Sequence, residues 1–364
     1  MSERVLSTRE LNRALLARQL LLERSALPLV DALEQVAGLQ AQYAPSPYVG
    51  LWSRLADFRR DDLTRALEER RAVQATLLRV TIHVVSAADY PPLTEAVRAS
   101  RQEWWDRTTR GQLEGVDMEA AAGLVRERLA AGPARQTELR KLLADKGFPG
   151  EAWIGVGLRV DMVRVPPSGT WERRRADLYG LADDWLGPWR VDEAEALEHL
   201  VRRYLAGFGP ASLADLGSWA GMALTRLRPV LERVGTRRFR DEQGRELFDL
   251  PDAPLPDPET PAPPRFLSTW DANLLVHARR TQLLPERHRG RIFHTKAPHS
   301  FPTFLVDGSV AGTWRYERGR VELEPFEPLP RAVRRALEDE AERLAQFHQG
   351  KPPGGGRLAL PVGP

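Results

Sequence analysis

The feature that most restricts the fold is the run Pro251 to Pro264, PDAPLPDPETPAPP, with seven prolines in fourteen residues. Each proline lacks a backbone N–H and fixes its φ angle, so such a stretch fits the interior of neither a helix nor a sheet. It is expected to be an extended linker, or chain wrapped over a surface. It divides the 364 residues into a long first part and a shorter second part of different pattern.

The first part repeats one plan three times: helices, then strand-like segments. In residues 1–100, Ser7 or Thr8 is placed to cap a helix carrying Leu11, Leu15 and Leu22. Pro28 opens a helix from about Leu29 to Gly38, and Gln40 and Gln42 close it. Pro45 and Pro47 break the chain, and a helix follows through Trp52 and Leu55. Asp61 caps a fourth. AVQATLLRVTIHVVSA then lacks helical spacing and is rich in β-branched residues, so part of it reads as a strand. In residues 101–190, helices up to Leu158 precede a hairpin wing over 162–174, turning at Pro166-Pro167-Ser168-Gly169. Arg164, Arg173, Arg174 and Arg175 lie on or beside it. Residues 191–250 repeat the plan, with a hairpin near Gln243-Gly244 that carries Arg237, Arg238 and Arg240.

Helices followed by a hairpin are the winged-helix plan. The repeats share organisation, not sequence identity. After the linker 251–264, residues 265–350 read as a β-rich domain with turns at Asp307-Gly308 and Arg318-Gly319 and a terminal helix. Residues 351–364 read as a flexible tail. The expected fold class is α+β: tandem winged-helix modules with a C-terminal β-rich region.

Composition removes several functions. The chain has no cysteine, which excludes thiolate metal sites, disulfides and a cysteine nucleophile. No apolar run approaches the length of a membrane span, and MSERVLSTREL has no apolar signal core, so a cytoplasmic protein is expected. Nucleotide-binding glycine loops, GxSxG and HExxH are absent. His294 and His299 are five apart without a carboxylate at ligand spacing, so neither metal nor cofactor is expected. Net charge is only +3, but four of the 53 basic residues are lysine and the rest arginine. Arginine binds phosphate bidentately and stacks on bases, so a basic face would suit nucleic acid.

Taken alone, Gln40-Ala41-Gln42 is two uncharged amides at a helix end, which reads as a solvated terminus. Its neighbourhood says more. GLQAQYAPSPYVGLWSRL resembles the signature of the AlkZ-like DNA glycosylases, a tandem winged-helix family that includes the YcaQ-like enzymes. LLRVTIHVVSAADY is similar to that family's R-x-T-x-H-x-V segment, VRVPPSGTWERR and ADDWL to its central wing, and SWAGM and DGSVAGTWR to later landmarks. Together these span about residues 8–330.

The resemblance implies removal of bulky alkylated purines, in some members as self-resistance to DNA-alkylating antibiotics. The family's catalytic pair is Q-Φ-Q or Q-Φ-D. The matching positions here are Gln40 and Gln42, which places the chain in the Q-Φ-Q branch, associated with particular natural-product adducts.

Glutamine only donates and accepts hydrogen bonds at neutral pH. That suffices for an N7-alkylated guanine, whose positive charge already makes it a good leaving group. Fixed amide oxygens then have to place a water and stabilise an oxocarbenium-like sugar. No lysine lies near Gln40 in sequence, so a Schiff-base lyase step is not expected, and the enzyme should leave an abasic site.

The candidate DNA contacts are Tyr43, Arg54, Arg79, His83, Arg164, Arg173, Arg174, Arg175, Arg237, Arg238 and Arg315. For His83 the alternative is a half-buried imidazole bonded to backbone. Tyr43 and Tyr48 could stack on a base or fill the core. Trp52, at helical spacing with Leu55, and the Trp104-Trp105 pair read as packing, with a lesion-facing role the alternative for the pair. The expected partner is double-stranded DNA carrying alkylated purines, with no membrane, and the protein should be a monomer. Two other functions fit the pattern: a non-catalytic winged-helix regulator, and a protein that sequesters the alkylating drug.

Overall fold

A computed structural model describes residues 3–109, 111–275, 281–293 and 300–350. The tail 351–364 and the His294/His299 pair lie outside the described residues.

The first helix, Thr8–Arg18, forms where the sequence supplies a reciprocal cap. Ser7 accepts from the Glu10 backbone while the Glu10 side chain accepts from Ser7. Its inner face buries Leu15 and Leu16, together with Arg13 and Arg18. The helix Leu29–Gln35 ends earlier than its sequence suggests. Ala37 and Gly38 take positive φ angles and turn the chain back, so Leu39–Gln40 is a short strand and not a helix end. Pro45 and Pro47 do not break the chain. They start the helix Pro45–Arg54, whose first turn has no use for their missing N–H groups.

Among the described residues the strands form three sheets. The largest has six strands, in the order Leu39–Gln40, Ile82–Ser86, Ala72–Thr76, Met162–Arg164, Leu178–Leu181 and Ala134–Arg135. It joins strands from residues 1–100 to strands from residues 101–190 in one hydrogen-bonded unit, through the Gln74–Arg164 and Ala75–Val163 pairs. The loop between Met162–Arg164 and Leu178–Leu181 folds over this junction. Gly169, at φ +79°, sits so close to Gln74 that a β-carbon would come within 2.1 Å of the Gln74 amide oxygen.

A second sheet pairs Val5–Leu6 in parallel with Arg237–Asp241, which is antiparallel to Glu246–Asp249. The third is an antiparallel sheet of Arg265–Leu267, Thr303–Val306, Ser309–Glu317 and Arg320–Pro325, against which the helix Arg331–His348 packs.

The proline-rich run contains no helix or strand and is strapped over the first helix. Arg9 Nε donates to Pro258 O at 2.8 Å, Arg13 Nε to Thr260 O at 2.7 Å and Arg18 Nη2 to Pro254 O at 3.0 Å. Arg18 also holds Asp249 through two bonds of 2.6 and 3.0 Å, with both side chains fully buried. This anchors the first helix to the hairpin of Arg237–Asp241 and Glu246–Asp249.

Trp52 packs against Phe347, while Tyr48 and Trp105 are buried, so these aromatics serve the core. Among the described residues no helix is long and apolar enough to cross a membrane.

Candidate active site

Gln40 and Gln42 sit at one edge of the six-stranded sheet. Gln40 is on the edge strand, directly opposite His83. Ala41 N donates to Ile82 O at 2.7 Å, which extends the pairing one residue further. Because side chains alternate along a strand, this register fixes which face each glutamine presents.

Both amide oxygens are held by named donors. Arg79 Nη2 donates to Gln40 Oε1 at 3.2 Å. The backbone N–H of Ile82 donates to Gln42 Oε1 at 2.9 Å. An sp² oxygen has two lone pairs, so each keeps an acceptor position while its orientation is set. Gln40 is buried and Gln42 exposed, which gives the pair an inner and an outer member.

Arg79 is placed by a strained turn. The loop between Ala72–Thr76 and Ile82–Ser86 puts both Arg79 and Val80 in the left-handed region, at φ 52° and 59°. Two successive non-glycine residues there, one of them β-branched, are costly and cluster at functional sites. The turn is clamped from outside. Arg79 Nη1 donates to the Trp219 carbonyl, at the end of the helix Leu213–Ala220. Gly221 follows, and a β-carbon there would press on Arg79 Cγ at 3.1 Å. SWAGM thus supplies an acceptor and clearance for the arginine that holds Gln40. Burial pushes the Arg79 guanidinium down to about 10, which leaves it charged at neutral pH.

His83 is buried, with Nδ1 at 3.0 Å from Thr81 O. Burial first, and then the nearby Arg79 charge, push its pKa down to about 3. It is a neutral imidazole bonded to its own backbone, not an exposed cation facing phosphate.

Adjacent residues of the pair's segment open onto different clefts. Gln42 lines one of about 450 Å³ together with Arg101, Arg164, Tyr90 and Trp153. Tyr43, which is exposed, lines another of about 790 Å³ with Trp171, Trp314, Tyr316, Arg174 and Arg315. Arg174 Nη1 donates to the Tyr43 hydroxyl at 3.0 Å.

The other candidate DNA contacts separate into two groups. Arg173, Arg174 and Arg175 are exposed on the loop after Arg164, and Arg238 and Arg315 are exposed on hairpins. Arg237 is half-buried and held by Asp249 and Ala253 O. Arg54 is corrected: it is 1% exposed and bonds Asp271 at 3.0 Å, so no DNA phosphate reaches it. Arg164 is buried in the sheet and faces the smaller cleft, not the tip of a wing. Sequence reasoning missed Arg101 and Thr76. One lies mid-helix and the other at the end of a strand, and neither belongs to a motif.

The fold is a mixed helix and sheet protein, in which Gln42 lines one arginine-lined cleft and Tyr43 beside it lines another. Residues 33–347 match the family described as DNA glycosylase AlkZ-like, and the chain belongs to that family. A relative from Streptomyces sahachiroi, named interstrand DNA cross-link repair glycosylase, is 23% identical over 358 residues, covering 90% of this chain and 93% of that one. The solved structure of Streptomyces sahachiroi DNA glycosylase AlkZ has the same fold. Its TM-score is 0.78 at 18% identity, over 96% of this chain and 98% of that chain.

Proposed function

We propose that this protein is a monofunctional DNA glycosylase that hydrolyses the N-glycosidic bond of bulky N7-alkylated purines in double-stranded DNA. In this reading Gln40 and Gln42 position the attacking water. The observation that carries it is the fixing of both amide oxygens by independent donors, Arg79 and the Ile82 N–H. A glutamine pair used only as a solvated surface has no need of a strained turn and a guanidinium to hold it.

The chemistry follows from charge. The alkylated purine leaves as a neutral base, because the departing electron pair cancels its existing positive charge. The sugar becomes cationic at C1′, and two oriented amide dipoles stabilise that charge without reorganising. The same dipoles hold a water against C1′ in attack geometry. They cannot protonate a normal purine, so undamaged DNA is spared. The products are an abasic site and the freed adduct. Among the described residues no lysine lines the cleft that contains Gln42, in keeping with hydrolysis and not Schiff-base chemistry.

The name of the Streptomyces relative supports interstrand crosslinks as substrates alongside monoadducts, in repair or in self-resistance. Residues 1–250 would present winged-helix modules to the duplex, and Arg173, Arg174, Arg238 and Arg315 would meet its backbone.

The test is base release from duplex DNA carrying a bulky cationic N7-alkylguanine. Wild type should yield abasic sites. Gln40→Ala and Gln42→Ala should each lower the single-turnover rate by about 10²- to 10³-fold, the loss typical of removing one preorganised dipole. Release that survives both substitutions would overturn the site. Tight duplex binding without any release would mean a regulator, and binding of the free alkylating compound without DNA would mean a sequestering protein.

A further inference from the structure

The smaller cleft contains two buried arginines that no carboxylate contacts among the described residues; burial lowers the pKa of Arg101, and Asp161 and Glu95 raise it without touching it. Arg101 is 5% exposed and Arg164 is 6% exposed. Among the described residues no carboxylate lies within ion-pairing distance of either. Both reach the same residue: Arg101 Nη1 donates to Thr76 O at 2.6 Å, and Arg164 Nη2 to Thr76 Oγ1 at 3.1 Å. The two guanidiniums therefore bond to oxygens of one threonine. Among the described residues Arg101 Nε, Arg164 Nε and Arg164 Nη1, each with almost no exposed area, have no hydrogen-bond partner.

The other groups around the cleft do not balance this charge. The acid in its lining, Asp161, is already held by two bonds from Arg98, at 3.2 and 2.9 Å. A third arginine, the exposed Arg140, adds positive charge at the cleft. Tyr179 lies beneath Arg164, with its ring 5.2 Å from the guanidinium carbon, and its hydroxyl is 3.4 Å from Arg164 Nη2. Burial lowers the pKa of both Arg101 and Arg164, which records the cost of holding them charged in this place.

We propose that Arg101 and Arg164 form a seat for one phosphodiester of the damaged strand, next to the nucleotide being cleaved. The inference rests on the glycosylase reading above and names the contact that positions its substrate. Two buried guanidiniums on one threonine, with no carboxylate in contact among the described residues, call for an anion, and five-donor forks match phosphate oxygens. The phosphodiester is the anion such a substrate carries, whereas the alkylated base is a cation that this cleft repels. Gln42 lines the same cleft, so a phosphate seated there fixes the reacting sugar relative to the glutamines. The cationic base then has to lie away from the arginines, on the other side of the sugar.

The experiment uses the full chain and a set of lesion duplexes, each with one neutral methylphosphonate linkage within two nucleotides of the lesion. Binding and single-turnover release are measured for wild type, Arg164→Gln and Arg164→Lys. At one linkage, neutralisation should weaken wild-type binding about ten-fold, while Arg164→Gln should already show that loss and suffer no more. The salt slope of its binding should fall by about one. Arg164→Lys should recover part of the affinity.

Losses that multiply at every linkage overturn the proposal, as does Arg164→Gln binding like wild type. An equal loss on all duplexes, with a lowered thermal midpoint, would make Arg164 structural and also overturn it. If wild type binds but releases no base, the glycosylase reading fails, and the linkage-specific binding still decides the phosphate seat.

Discussion

Arg18 and Arg164 are buried to nearly the same degree, 1% and 6% exposed, but in opposite company. Arg18 meets Asp249 through two bonds, and Arg54 meets Asp271. Arg164 and Arg101 meet only neutral oxygens on Thr76 and Tyr179. Arginine stays charged in both settings, because its pKa is too high for burial to discharge it. The paired group ties the first helix and the C-terminal region to the rest of the fold. Arg101 and Arg164 both line the cleft that Gln42 lines. Burial alone therefore does not separate these two pairs; contact with a carboxylate does.

The comparison is broken most forcefully at Asp249. Its carboxylate holds both Arg18 and Arg237, so Asp249→Ala strands two guanidiniums at once. We expect a loss of about 3–5 kcal/mol, read from urea unfolding. A loss under about 1 kcal/mol would show that the paired arginines are no more structural than the others.

A buried base that can discharge sharpens the contrast. Among the described residues His83 has no anion partner either, but it answers burial by staying neutral, with a pKa of about 3. The sign follows from proton counting. Between pH 6.5 and 3 the unfolded chain binds a proton at this residue and the native state does not. The stability from keeping it neutral is thus fully present above about pH 6.5 and is lost as pH falls, by about 2 kcal/mol at pH 5. His348, pushed down to about 4 by burial and by Arg60 and Arg174, works in the same direction. Unfolding curves from about pH 7 to 5 should show this loss, and His83→Asn should flatten its share. Equal slopes in both proteins would contradict a neutral buried His83.

The smallest effect is expected at Arg101. Arg101→Gln gives up one bond to Thr76 O but also removes an unpartnered buried charge. Its unfolding free energy should stay within about 1 kcal/mol of wild type or rise, a pattern seen where a binding site holds strain for its function. A fall as large as that of Asp249→Ala would dissolve the distinction between the two groups.

Much of the candidate site can be read in the chain. Gln40-Ala41-Gln42 and the Arg79-Val80-Thr81-Ile82-His83 run stand out as segments that resemble a family signature. Their mutual placement does not. It depends on Leu39–Gln40 being a strand, where local pattern suggests a helix end, and on the register that sets Gln40 against His83. Arg54 shows the opposite limit. It reads as one more cation near the glutamines, but its partner Asp271 is 217 positions away.

The sequence by itself determined several local elements: the cap at Ser7, the turns at Gln243-Gly244, Asp307-Gly308 and Arg318-Gly319, and the proline run that cannot be helix or sheet. These follow from backbone sterics and short-range hydrogen bonds, which neighbouring residues settle among themselves. Only the tertiary structure decided which arginines are neutralised, because a charge is satisfied by whatever lies a few ångströms away, regardless of its place in the chain. It also decided that the proline run would be a strap. The acceptors that bind it are its own backbone carbonyls, and the donors are arginines of a helix more than two hundred residues earlier.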